Sequence, residues 1–235
     1  MLAARGAGEL QTLLREREPD AATLLALLRR PVPVALLELV ATRPPFCEER
    51  RVLGAVAANP RTPPRLSLRL LPDLYWRDQA EVARNLALPP AVRSRADSLL
   101  QDGLAELRLG DRLTLARLAT PILLRALLRD ADPRVIDAGL ECPRLSESEL
   151  TQAIARKDAP ARLMERVAAS TRWGESYAVR LALVAQPRTP LGVALAQLTG
   201  LDRRDLLRIG DSPGLLPLLQ AAALRVVTER TKALN

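Results

Sequence analysis

Apolar residues along this chain recur at intervals of three and four, the spacing of one face of a helix. Leu115, Leu118, Ile122 and Leu123 lead into Ala126 and Leu127; Val135, Ala138 and Gly139 follow, then Leu150 and Ile154, then Leu163 and Val167. No segment keeps the two-residue alternation of a half-buried strand, and no heptad rhythm lasts long enough for a coiled coil. Helix starts are marked by proline. Thr62-Pro63, Thr120-Pro121, Asp132-Pro133, Thr189-Pro190 and Ser212-Pro213 each place an oxygen-bearing side chain directly before a proline. That oxygen can accept from an orphan N–H of the first turn, and proline at the first helical position loses nothing by lacking its own. Asp78-x-x-Glu81 and Ser146-x-x-Glu149 read as capping boxes and predict two more starts. Helices of about 9–14 residues joined by short turns follow, an arrangement that favours antiparallel neighbours.

The same punctuation repeats. Asn59-Pro-Arg-Thr-Pro63 returns as Gln186-Pro-Arg-Thr-Pro190, an offset of 127 residues (186 − 59). At that offset Leu68 meets Leu195, Leu71 meets Leu198, Leu74 meets Leu201, Val82 meets Ile209, and Arg77-Asp78 meets Arg204-Asp205. An internal repeat of this length would hold four units of about 32 residues, within the range of helical repeats. The pattern predicts an all-α chain, a right-handed solenoid or superhelix of short antiparallel helix pairs. It is read as one domain over residues 1–235: capping helices in 1–30 (about Glu9–Glu18 and Ala21–Arg30), repeats over 31–227, and a C-terminal tail at 228–235. Gln101 to Asp111, with Gly103 and Gly110, is the irregular point, predicted as a longer turn or a bend.

Leu127-Leu-Arg-Asp-Ala-Asp-Pro-Arg-Val135 resembles the turn and second helix of a HEAT repeat, where an acidic turn leads into a Val-Arg step. The Asn/Gln-Pro-x-Thr-Pro turns look like those of the variant leucine-rich repeats, which are also helical solenoids. The resemblance covers most of Pro31 to Val227 and rests on a few turns per repeat. It implies a HEAT- or armadillo-like architecture. One type of variant-repeat protein carries a cysteine-rich cluster-binding end; this chain has no cysteine cluster, so no iron–sulfur function carries over.

Composition sharpens the picture. The chain of 235 residues is 48% hydrophobic but only 2% aromatic, so its core is Leu, Val and Ala, which favours helices that approach closely. The net charge is +8; Lys157 and Lys232 are the only lysines, so 33 of the 35 basic residues (35 − 2) are arginine. A basic surface for nucleic acid or an acidic partner is one reading, and the codon bias of a GC-rich bacterium is the other. With no histidine, Ser-His-Asp and Cys-His arrangements and His-ligated metals are excluded. Cys47 and Cys142 stand far apart without neighbouring ligand types, and no phosphate loop occurs. No cofactor is expected. No stretch is apolar and long enough to span a bilayer, and a cytoplasmic location is the expectation.

Candidate binding residues come from two sources. Trp76 beside Tyr75, and Trp173 four residues before Tyr177, are aromatic clusters in a chain nearly free of rings. Aromatics beside arginine suit contact hot spots and stacking platforms; burial as core plugs is the competing role. Arg77, Arg84, Arg134, Arg180, Arg204 and Arg208 fall on second helices or their starts, where a basic groove would form. The expected function is a non-enzymatic scaffold presenting a basic curved surface to a protein partner. The alternative is nucleic-acid binding of the type seen in HEAT-like alkylpurine DNA glycosylases, with Asp78 and Trp76, or Glu175 with Trp173 and Tyr177, as the site.

Overall fold

The computed structural model describes residues 19–233. Among them every regular element is helical: fifteen α-helices and four short 3-10 turns, with no strand. The expected helix at Glu9–Glu18 lies outside the described residues. The chain divides into two compact units, Met1–Leu107 and Arg108–Asn235. The division falls inside the segment that the two glycines marked as irregular.

The first unit contains α1 (Ala21–Leu28), α2 (Val34–Thr42), α3 (Arg50–Ala58), α4 (Pro64–Leu70), α5 (Trp76–Arg84) and α6 (Pro90–Asp102). α3 is its centre. α1, α2, α4 and α5 all pack on it, and α6 closes on α4 and α5. Val52, Val56 and Ala57 of α3 are buried, and Leu24, Leu37, Val40 and Leu71 complete the core around them. Phe46 is the one aromatic in that core.

The second unit contains α7 (Leu109–Leu118), α8 (Pro121–Leu127), α9 (Pro133–Leu140), α10 (Glu147–Ala155), α11 (Ala161–Ala169), α12 (Tyr177–Ala185), α13 (Leu191–Gln197), α14 (Arg203–Gly210) and α15 (Pro217–Ala233). Among neighbours in sequence, α7 packs on α8, α8 on α9, α11 on α12, α12 on α13 and α14 on α15. Helices two apart pack as well: α7 on α9, α9 on α11, α11 on α13, α13 on α15, and likewise α10 on α12 and α12 on α14. Residues 228–233, read as part of a tail, form the last turns of α15, where Arg230 donates to the Leu201 and Thr199 carbonyls.

The 127-residue offset reaches far beyond the pentapeptide. α2, α3, α4, α5 and α6 begin at 34, 50, 64, 76 and 90; α11, α12, α13, α14 and α15 begin at 161, 177, 191, 203 and 217. The buried positions follow: Val40 and Val167, Leu71 and Leu198, Leu88 and Leu215, Ala96 and Ala223, and the two core rings, Phe46 and Trp173. A single register therefore relates residues of the two blocks.

The repeated turn has a physical job. Asn59 is 2% exposed, and its Nδ2 donates to the Leu28 and Arg30 carbonyls at 2.7 Å each, while its Oδ1 accepts from Arg61 N. Gln186 repeats this with the Ile154 and Arg156 carbonyls and Arg188 N. A buried carboxamide thus satisfies the orphan carbonyls at the end of the helix one pair earlier. Asn85 does the same for the Ala58 carbonyl, and the Cys142 thiol stands in that place toward the Arg117 and Ala119 carbonyls at 3.6 and 3.9 Å.

Of the expected helix starts, Thr120, Asp132 and Ser146 cap as predicted; Ser146 and Glu149 form a full capping box. Arg134 clasps the Asp132 carboxylate and holds it down at about 2. The others differ. Pro63 and Pro190 themselves precede their helices, so the Thr62 hydroxyl turns inward and donates to the Val56 carbonyl. Ser212 lies in a turn, and α15 starts five residues later at Pro217. Asp78 sits in the first turn of α5 rather than at its cap, because the helix already starts at Trp76.

Candidate binding trough on the second unit

α10, α12 and α14 lie in a row, and α12 shows its outer face between the other two. That face carries Ala178, Leu181, Ala182 and Ala185, spaced one helical turn apart, so small side chains leave a trough above it. The volume between α12 and α14 is about 440 Å³, floored by those residues with Ile209 and Leu215 and edged by Asp205 and Arg208. A second hollow of about 550 Å³ continues along α12 past Ala182 and Ala185 to Lys157 and Arg188. The floor is apolar, and three cations rim it.

One end of the trough is held by a hydrogen-bonded chain. The Tyr177 hydroxyl donates to Asp205 Oδ2 at 2.6 Å and accepts from the Asp202 backbone N–H at 3.3 Å. Asp205 Oδ1 accepts from Arg208 at 3.1 Å, and the Asp205 backbone N–H is capped by Asp202. Asp205 is 8% exposed, so the phenol and the guanidinium satisfy a carboxylate that burial would otherwise penalise. The Asp205 carboxylate, followed by burial, pushes the Tyr177 phenol up from 10.0 to about 12. This stabilising contribution is whole below pH 10 and disappears as the pH rises through 12. Ultraviolet titration of tyrosinate should show one late ionisation near pH 12, returning toward 10 in Asp205→Asn; an unchanged late step in that variant would contradict the assignment.

Tyr177 and Arg208 are the sequence candidates that this chain brings together. Trp173 is elsewhere: it is 6% exposed, its Nε1 donates to the Leu140 carbonyl, and the Arg172 guanidinium stacks on its ring at 4.4 Å. It plugs the end of α9 as core. Arg180 donates to the Gly174 carbonyl, Arg134 is bound to Asp132, and Arg204 is exposed in the first turn of α14. Glu175 is exposed in the turn after Trp173.

In the first unit, Trp76 opens α5 with the Arg77 guanidinium over its ring at 5.1 Å, and Tyr75, 55% exposed, lies under Arg50 at 4.9 Å. Arg84 is half-buried in the last turn of α5. Asp78 occupies the register position of Asp205 with different surroundings. Arg50 stands where Tyr177 does, Glu81 where Arg208 does, and Gly54 where Leu181 does. The Asp78 carboxylate lies against Gly54, so close that a Cβ there would come within 2.8 Å of its Cγ. Burial raises its pKa, the Glu81 charge adds to that, and Arg51 opposes it.

Sequence reasoning missed the trough itself and the role of Asp205, which it matched only to Asp78. The run Ala178, Ala182, Ala185 was the available signal, since small residues at helical spacing on an exposed face leave room for something else. Among the described residues no group of three or more Cys, Asp or Glu could hold a metal ion, and no helix is long and apolar enough to cross a membrane. Comparison with family models, with curated proteins and with solved structures returned no match to this chain.

Proposed function

We propose that this chain is a non-catalytic binding scaffold, built from stacked helix pairs of the HEAT and variant leucine-rich type, that holds a protein partner in the trough along α12. The packing of helices two apart, row upon row within the second unit, supports the solenoid reading. The observation that carries the binding reading is the trough: an apolar floor with Arg208, Arg188 and Lys157 on its rim and Tyr177 at one end. Such a combination of apolar centre, tyrosine and arginine suits a protein contact. The carboxylate at its edge is occupied by Tyr177 and Arg208, which fits a structural role for Asp205 rather than proton transfer.

Ala185 lines both hollows and is exposed, so Ala185→Arg blocks the floor without disturbing the core. Affinity capture from nuclease-treated host lysate should recover a partner with the native chain, and Ala185→Arg should weaken its binding at least ten-fold. Equal recovery by both proteins refutes the trough as the contact. Recovery that depends on nucleic acid and falls steeply with salt favours the phosphate-binding alternative instead.

A further inference from the structure

A groove on the first unit whose lining does not include Asp78 has no role in the trough reading. It opens between α2 and α4, which both pack on α3, and encloses about 690 Å³. Ala35 and Leu39 of α2 and Leu66 of α4 give it an apolar floor. Arg65 and Arg69 stand on the α4 bank and Glu38 on the α2 bank. The two arginines are exposed and one turn apart, and neither makes a hydrogen bond or an ion pair with another described residue.

The second block serves as an internal control. At the 127-residue offset Arg65 corresponds to Gly192 and Arg69 to Ala196, in a helix of the same length that packs in the same place. Space around Gly192 is open, so nothing there excludes a side chain. The fold is therefore complete without cations at these positions. On the opposite bank the second block carries Arg166, which is spent on the Asp137 carboxylate at 2.6 and 2.7 Å. Only the first block leaves paired guanidiniums free over an apolar floor.

We infer that the groove between α2 and α4 docks an acidic, partly apolar linear segment of a partner protein, with Arg65 and Arg69 each taking one carboxylate. The spacing fits. Residues four apart on a helix are separated by about 6 Å along the axis, and alternate residues of an extended peptide by about 7 Å. An extended segment with acidic residues at every second position presents its carboxylates to both arginines and its intervening side chains to Leu39 and Leu66. A guanidinium fork pairs with a carboxylate through two parallel hydrogen bonds. Nucleic acid fits less well, because no aromatic ring lines the groove to stack a base.

The test is fluorescence anisotropy on the full chain at 0.15 M salt, with a labelled twelve-residue peptide of Glu-Leu-Glu-Ala repeats. The same peptide with lysine for glutamate, and a twelve-nucleotide single-stranded DNA, are the comparison probes. The glutamate peptide should bind, and Arg65→Glu with Arg69→Glu should weaken it at least ten-fold at an unchanged melting midpoint. Gly192→Glu with Ala196→Glu, and Ala185→Arg, should leave it unaltered, which separates this groove from the trough on α12. Three results overturn the inference: no preference over the lysine peptide, a loss below ten-fold in the double variant, or tighter binding of the DNA that the same variant abolishes.

Discussion

Trp173→Ala is expected to destabilise the second unit by about 3–5 kcal/mol, the usual cost of emptying a buried aromatic site. The ring is 6% exposed and fills the space between the end of α9 and the turn that leads to α12. Removing it leaves a cavity, breaks the indole bond to the Leu140 carbonyl and strips Arg172 of the surface it stacks on. Arg172 itself donates to the Leu140, Cys142 and Leu145 carbonyls, so its loosening exposes several acceptors together. Trp173→Phe should lose much less, about 1–2 kcal/mol, because Phe46 fills the equivalent place in the first block without an indole N–H. Chemical denaturation followed by tryptophan and circular dichroism signals measures both. A small effect of the alanine change would put Trp173 back among candidate contact residues.

Asn59→Ala should cost the first unit about 2–4 kcal/mol, since the carbonyls of buried Leu28 and of Arg30 and one N–H lose their partner together. The bonds are short and the side chain is enclosed, so water cannot replace it. Asn59→Gln should recover part of the loss, because Gln186 makes the same three contacts with one more methylene. Asn59→Asp is the decisive variant. It has the shape of asparagine but faces the Leu28 and Arg30 carbonyls with an acceptor in place of a donor, and should be worse than alanine. If Asp proves milder than Ala, the carboxamide does not donate in that direction, and the turn is held by its proline alone.

The pentapeptide around Asn59 and Gln186 was legible because both copies keep the same residue types for the same local reason. Asn85 and Cys142 act at the same kind of turn but were invisible to that search. Asn85 is not followed by proline, and a thiol is too weak an acceptor or donor to advertise a cap. The reading of Thr62 and Thr189 as caps failed for a related reason. Helix starts at prolines are genuine, but Pro64 and Leu191 are the first helical residues, which moves each threonine one place too early. A hydroxyl so displaced turns into the core, as that of Thr62 does toward Val56.

The candidate site was legible only in pieces. Tyr177 and Arg208 were singled out by residue type, yet nothing in the chain order says that a phenol and a carboxylate 28 residues apart meet at 2.6 Å. Trp173 and Tyr177, four apart, read as one cluster, either on one helix face or as a turn and the face it leads into. They separate because the helix begins at Tyr177 and Trp173 belongs to the turn before it.

By itself the sequence determined what is local: helical period, proline-marked starts, a Leu, Val and Ala core, and an offset of 127 residues that runs from Asn59 and Gln186 to Val82 and Ile209. Those features depend on bonds and packing within a turn or two of the chain, so neighbouring residues suffice to state them. Only the tertiary structure decided which arginines are spent on carbonyls and carboxylates and which stay free, that Trp173 is core, and that small side chains on α12 and the spacing of α2 and α4 leave hollows. Each of these depends on which helices touch, a choice made by many weak contacts summed over distant parts of the chain.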